Sequence, residues 1–507
     1  MSAVSVQTDV LVVGAGAMGS GIAQVAALAG HRVFLADTSA EAVEKGCATI
    51  AASLREQVSK GRLDAARAEF TIARIHGIDK LADARTATLA IEAIVERLDV
   101  KRALFFELES ILPEQAILAS NTSSLSITAL TAGLSRPERV VGMHFFNPAP
   151  RMKLVEVVSG LATDADVADT VFATAVAWGK VAVHVVSSPG FIVNRVARPF
   201  YAEAQRVLAE RAAKPATLDA AMRDCCGFPM GPFELMDFIG HDVNFAVTRS
   251  VFDACFGDRR YEPSLFQQEL VAAGRLGRKS GRGVYDYRAG AVPPRPEDES
   301  PREGAERVRL HGAEPSLCAL ADRLGAVAVV ERMGGAASRE SIEIEGAHLV
   351  PCDGRTATRR AAEEDCPNLI VFDLCLDYAS TPRLVIAPAD QCASAALECV
   401  VGTLQRAGLA VSLIDDVAGL IGLRTVAMII NEAAGLVQAG VATAHDVDKA
   451  MRYGTNYPRG PLAWADELGV ARVVAALDRL NEHYREERYR CAPLLRRKAI
   501  GGRKFHE

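Results

Sequence analysis

Six residues near the start of the chain, Gly14-Ala15-Gly16-Ala17-Met18-Gly19, restrict its fold more than any others. They follow an apolar run, Val10-Leu11-Val12-Val13, and open a helical pattern through Ile22, Val25, Ala26 and Leu28. At such a strand-to-helix turn Gly14 permits the tight bend and Gly16 lets the backbone approach a pyrophosphate. Gly19 lets the helix close on the strand, and the helix N-terminus adds partial positive charge. A second strand, Arg32–Ala36, ends at Asp37. A carboxylate there accepts hydrogen bonds from ribose hydroxyls and repels a 2′-phosphate, and no arginine follows in Thr38-Ser39-Ala40. NAD is therefore the expected cofactor, held by Gly14, Gly16, Met18, Gly19 and Asp37. A turn whose glycines serve packing alone is the competing account, and the strand, helix and Asp37 together tell against it.

A chain of 507 residues exceeds one ordinary core, so several domains are expected. Residues 1–188 alternate strand-like runs (Val10–Val13, Arg32–Ala36, Thr88–Ile91, Ile117–Ala119, Val140–Met143, Leu154–Val158) with helical patterns. That alternation predicts a doubly wound, helix-covered, parallel sheet of Rossmann type. Residues 189–290 read as helical. The stretch 291–309 is rich in Pro, Glu and Arg and reads as a linker. Residues 310–418 read as a reduced α/β segment with strands at Leu369–Phe372, Leu384–Ala387 and Ala410–Ile414. Residues 419–507 are helical again.

The two helical regions are copies. A shift of 229 residues aligns 189–240 with 418–469 without a gap. Gly190, Ile192, Arg195, Glu203, Asp219, Pro229, Gly231 and Pro232 recur as Gly419, Ile421, Arg424, Glu432, Asp448, Pro458, Gly460 and Pro461. A duplicated helical domain is expected. Asn194 becomes Leu423 while its neighbour Arg195 is kept as Arg424, the pattern of a working first copy beside a structural second one.

Glu156 lies inside an apolar run, Leu154-Val155-Glu156-Val157-Val158, where an uncompensated carboxylate is costly. His144 stands 12 residues earlier, across one short connection. A glutamate that holds one imidazole nitrogen protonated leaves the other free to take a hydroxyl proton. Spacing alone leaves open a satisfied core histidine beside a buried acid. Ser123 falls in Asn121-Thr122-Ser123-Ser124, after a strand and before a helical pattern, where helix capping is the plain alternative. Asn194 on an apolar helical face has a structural alternative too.

The balance of 57 basic and 63 acidic residues, net −6, argues against nucleic-acid or anionic-membrane binding. Eleven cysteines without metal-ligand spacing suggest a reducing compartment and no metal site. No apolar run reaches the roughly 18 residues of a membrane span. The N-terminus enters a strand without a signal peptide, so a cytoplasmic location is expected.

Taken together, the motifs resemble the 3-hydroxyacyl-CoA dehydrogenase family over nearly the whole chain. The runs that carry the likeness are Ser120-Asn121-Thr122-Ser123-Ser124, His144-Phe145-Phe146-Asn147-Pro148, Met152-Lys153-Leu154-Val155-Glu156 and Pro189-Gly190-Phe191-Ile192-Val193-Asn194-Arg195. The resemblance implies oxidation of a (3S)-3-hydroxyacyl-CoA to the 3-oxoacyl-CoA with NAD⁺. It makes His144 the base, Glu156 its orienter, and Ser123 and Asn194 polar contacts to the reacting oxygen or thioester. It also implies that Glu96, Lys101, Ser123 and Asn147 contact the cofactor, that Ser53 and Lys60 contact coenzyme A, and that the chain forms a homodimer. For Ser53 and Lys60 a solvated amphipathic helix is the alternative. The duplicated helical domain brings the chain nearer to the long members of phenylacetate degradation, the 3-hydroxyadipyl-CoA dehydrogenases. 3-Hydroxybutyryl-CoA or general β-oxidation substrates are the alternative, and a non-catalytic, crystallin-like relative is the alternative of another class. Arg151 replaces a more usual apolar residue. A distal carboxylate would call for a cation, and Arg151, Arg195 and Arg198 are the candidates.

Overall fold

Short, apolar, mostly β-branched runs build the first sheet, because each is buried on both faces. Its strands are β1 (Val10–Val13), β2 (Val33–Ala36), β3 (Ile75–Ile78), β4 (Leu89–Glu92), β5 (Ile117–Ser120), β6 (Val140–Phe145), β7 (Leu154–Ser159) and β8 (Val181–Val186). They lie in the order β3-β2-β1-β4-β5-β6-β7-β8, and the strand order reverses direction at β1. All pairs are parallel except β6–β7, which departs from the expected parallel sheet. The reason is the connection: the few residues between Phe145 and Leu154 suffice for a hairpin but not for a crossover. Two strands are absent from the sequence-based expectation. β3 is an edge strand whose His76 and Gly77 face solvent, so it carries little apolar signal. β8, Val181-Ala182-Val183-His184-Val185-Val186, has a clear apolar signal that the expectation overlooks.

The computed structural model describes residues 2–334 and 339–507. The chain divides into two compact units, Met1–Arg195 with Leu436–Thr455, and Val196–Gly435 with Asn456–Glu507. The first unit therefore includes a piece of the second helical copy. Val441 O accepts the Val186 amide at 2.8 Å, which occupies the edge of β8. The helix Ala444–Gly454 packs on β7 and β8. Gly454 sits so close that a Cβ there would lie 2.7 Å from Leu154 Cδ2 and 3.0 Å from Val193 Cγ2.

In the second unit a seven-stranded mixed sheet holds β9 (Arg307–His311), β10 (Val329–Met333), β11 (Ser341–Ile344), β12 (Ala347–Pro351), β13 (Leu369–Phe372), β14 (Arg383–Pro388) and β15 (Ala410–Leu413), ordered β10-β9-β11-β12-β13-β14-β15. The expected linker at 291–309 needs correction. β9 begins inside it at Arg307, and the rest is stitched down: Glu299 N donates to Val411 O, Arg302 N to Gln405 Oε1 and Ala305 N to Thr403 Oγ1.

The duplication reaches beyond the helical domain. Displaced by 229 residues, β6, β7 and β8 become β13, β14 and β15, and the helix Ala165–Ala177 becomes Ser394–Arg406. Registers are kept: Met143 opposite Val157 recurs as Phe372 opposite Ile386, and Leu154 beside Val181 as Arg383 beside Ala410. Even the left-handed residues recur, Gly190 and Phe191 (φ 72° and 48°) as Gly419 and Leu420 (φ 77° and 48°). The edge contact has its mirror too, with Asp415 N donating to Ala212 O at 2.9 Å.

Candidate active site

Opposed positions on β6 and β7 place His144 directly across from Glu156. His144 Nδ1 lies 2.7 Å from Glu156 Oε2, with the two residues 5% and 0% exposed. The other oxygen, Oε1, accepts the amides of Ile192 and Val193 at 3.0 Å each, where the helix Val193–Val196 begins. The buried carboxylate thus meets donors on both oxygens, one of them able to become a cation. Phe146 and Phe191 flank the imidazole, at 4.5 and 5.9 Å between ring centroids.

Asn121 ties the neighbouring loop to this strand end, its Oδ1 accepting the Phe145 amide at 2.8 Å. Two residues on, Ser123 gives its amide to Glu96 Oε1 at 2.9 Å and its hydroxyl to the same oxygen at 3.3 Å. Thr122 and Ser124 also donate to Glu96 Oε1. Asn194 Nδ2 donates to Ser123 O at 3.4 Å, so two expected site residues meet. Burial pushes the Glu96 carboxyl up, but Lys101 and the Thr122 and Ser123 donors outweigh it and hold its pKa below the ordinary value.

Lys101 departs from its expected place as a cofactor contact. It is 1% exposed, and its ammonium meets Glu92 Oε1 at 2.5 Å, Glu96 Oε2 at 3.2 Å and Ile94 O at 3.4 Å. An ammonium has three protons to give, so these contacts use its capacity. It holds Glu96, and Glu96 holds the Ser123 loop. Glu92, which sequence reasoning missed, anchors Lys101 and takes the Ser120 hydroxyl at 2.6 Å. The signal for it was a carboxylate closing the apolar strand Leu89-Ala90-Ile91-Glu92.

At the glycine turn, a Cβ on Gly14 (φ 107°) would meet Ala93 O at 2.4 Å, and one on Gly19 would meet Gly14 O at 1.7 Å. Gly16 has open space around it, as close approach by a pyrophosphate requires. Met18 is half-buried beside it. Asp37 Oδ2 takes the Ala15 amide at 2.7 Å. A cavity of about 900 Å³ opens here, lined by Gly14, Gly16, Asp37, Thr38, Ile94 and Val100. Its size and donor set fit a dinucleotide. Asn147 is exposed beside the cis Asn147–Pro148 bond. On the helix Ala40–Ser59, Ser53 is half-buried, and Lys60 just past its end is exposed and paired with Glu56.

The second copy lacks this chemistry. Asp373 stands at the position of His144 and Val385 at that of Glu156. Asp373 accepts the amides of Ile421, Gly422 and Leu423 at 3.1, 2.6 and 3.0 Å. These correspond to Ile192, Val193 and Asn194, so the helix cap survives and the imidazole does not.

The chain matches the family model "3-hydroxyacyl-CoA dehydrogenase, NAD binding domain" over residues 9–188 and the corresponding C-terminal domain over 190–287 and 419–504. Residues 349–417 match the "3-hydroxybutyryl-CoA dehydrogenase reduced Rossmann-fold domain". It is 47% identical to the 3-hydroxyadipyl-CoA dehydrogenase of Escherichia coli K12, covering 98% of each chain. It is 45% identical to a probable 3-hydroxybutyryl-CoA dehydrogenase of Bacillus subtilis over 55% of this chain and 97% of that one. A crystal structure described as 3-hydroxybutyryl-CoA dehydrogenase from Escherichia coli K12 superposes with a TM-score of 0.86 at 46% identity, over 98% of this chain and 99% of that one. The chain belongs to the 3-hydroxyacyl-CoA dehydrogenase family and is an NAD-dependent oxidoreductase.

Proposed function

We propose that the chain oxidises (3S)-3-hydroxyadipyl-CoA to the 3-oxo thioester in phenylacetate catabolism, with His144 as the proton acceptor. The observation that carries this reading is the 2.7 Å His144–Glu156 contact, with Glu156 held from its other side by Ile192 and Val193. Glu156 keeps Nδ1 protonated and so presents Nε2 as a base. As His144 takes the C3 hydroxyl proton, the Glu156 charge stabilises the imidazolium. NAD⁺, when bound, supplies the hydride acceptor. The residues that would hold it are Gly14, Gly16, Met18, Gly19 and Asp37, with Glu96 and Asn147 on the nicotinamide side and Lys101 acting through Glu96. Ser123 and Asn194 orient the reacting oxygen or thioester, and Ser53 and Lys60 contact coenzyme A.

The adipyl group is favoured by the relative that matches end to end. The superposed crystal structure, described as a 3-hydroxybutyryl-CoA dehydrogenase, favours a butyryl group instead. Initial rates of NADH formation with 3-hydroxyadipyl-CoA and 3-hydroxybutyryl-CoA separate the two, and no NADH from either substrate would overturn the assignment.

No described helix is long and apolar enough to cross a membrane. The scattered cysteines support a cytoplasmic location. A homodimer stays the reading of the assembly, with one constraint on its interface. Tyr261 gives its hydroxyl to Glu432 and, in mirror image, Tyr489 gives its own to Glu203. That reciprocal pairing is what a twofold interface makes, and here one chain makes it with itself. A homodimer would use another face.

A further inference from the structure

The second helical copy shows what the helical fold needs, so polar residues found only in the first copy call for a reason. Arg198, Gln205, Asn244 and Thr248 correspond to Ala427, Ala434, Val473 and Leu477, all buried in an apolar core. The first copy instead encloses a cavity of about 140 Å³, room for a few water molecules or the end of a short acyl chain. Four arginines line it, Arg198, Arg206, Arg260 and Arg488, with a single carboxylate, Glu262. Arg206, Arg260 and Arg488 meet Glu203, Asp258 and Glu486. Arg198 reaches Thr248 Oγ1 at 3.0 Å and lies over the Tyr201 ring at 4.9 Å. It is 5% exposed, and Gln205, 6% exposed, has a buried Oε1 with no hydrogen-bond partner.

Burying a guanidinium and an unsatisfied amide costs free energy that Ala427 and Ala434 avoid in the same backbone. A ligand anion would offset that cost, because a carboxylate is the natural counterpart of a guanidinium. Arg198 also follows Asn194 by four residues, a rise of about 6 Å along a helix. In a 3-hydroxyadipyl group the distal carboxylate carbon lies three bonds from C3, about 4 Å when extended. A charge-assisted hydrogen bond adds about 2.8 Å, so the spacings agree.

We propose that this cavity binds the distal carboxylate of a dicarboxylic acyl chain, with Arg198 as its cation and Thr248 fixing the guanidinium. The inference rests on the adipyl reading given above. The test compares kcat/KM for 3-hydroxyadipyl-CoA with that for 3-hydroxyhexanoyl-CoA, which ends in a methyl group. The second copy supplies replacements that the fold already tolerates: Arg198→Ala, Gln205→Ala and Thr248→Leu. The adipyl-to-hexanoyl ratio should fall about 30-fold or more in Arg198→Ala and less in Thr248→Leu, and Arg198→Lys should restore part of it. A wild-type enzyme without preference for the carboxylate would overturn the adipyl reading and this inference together. A wild-type preference that survives Arg198→Ala, or an equal fall for both substrates, would overturn this inference and leave the adipyl reading standing.

Discussion

Glu156 uses its two oxygens for different tasks, one toward His144 and one toward the amides of Ile192 and Val193. Replacing it by Gln keeps an acceptor but removes the charge that favours imidazolium, so kcat should fall roughly 100-fold or more. His144→Gln removes the base itself. It should abolish turnover while NADH still binds, as read by the fluorescence of the bound dinucleotide, since the dinucleotide cavity is lined by other residues. Retained turnover in His144→Gln would sink the mechanism. This part of the site was legible in the sequence because the chemistry dictates residue type: a buried acid in an apolar strand must have a partner, and His144 was the near candidate. Lys101 was not legible in the same way. A lysine reads as a surface contact until its neighbours are known, and the two carboxylates that bury it come from positions five and nine residues back along a folded strand end and loop.

Among the elements, the duplicated helices were readable from identities such as Gly190/Gly419 and Pro232/Pro461. The duplicated strands were not, since β6 and β13 share shape and register but exchange His144 for Asp373. Most of the second sheet was also missed, because β9 to β12 are short runs with charged outward faces, such as Arg307-Val308-Arg309-Leu310-His311. Asp373 shows what the second copy kept. Its oxygens accept four amides, those of Leu374, Ile421, Gly422 and Leu423, at the start of a buried helix. In Asp373→Asn an amide nitrogen would face two of these donors and leave them unsatisfied. The expected loss is about 2–4 kcal/mol of unfolding free energy, measured by urea titration, against little change in kcat. A matching collapse of kcat in the folded variant would show that the second copy does more than support.

Over the whole molecule, buried acids give stability a pH dependence of unusual sign. Burial pushes the Asp219 carboxyl up to about 7, against the opposing pull of the Tyr285 hydroxyl and the Phe233 and Glu234 amides. Asp373 is raised by burial to about 6, its backbone donors pulling the other way. An acid whose pKa is higher folded than unfolded holds its proton longer in the native state. Its contribution is therefore complete below the unfolded value near 4 and is lost as pH rises through the folded value. Carboxylates held low by cations, such as Glu203 beside Arg206 and Arg424 despite its burial, act oppositely and lose stability as pH falls. The two trends overlap, so a single unfolding curve against pH cannot separate them. A difference between variants can. Asn at position 219 mimics the neutral acid at every pH, so Asp219→Asn should gain on the wild type by about 2–3 kcal/mol between pH 5 and pH 8. Urea midpoints for both proteins at pH 5, 6, 7 and 8 measure this directly. Parallel lines would mean that Asp219 stays ionised in the native state, with the Tyr285 hydroxyl and two amides sufficient to hold its charge.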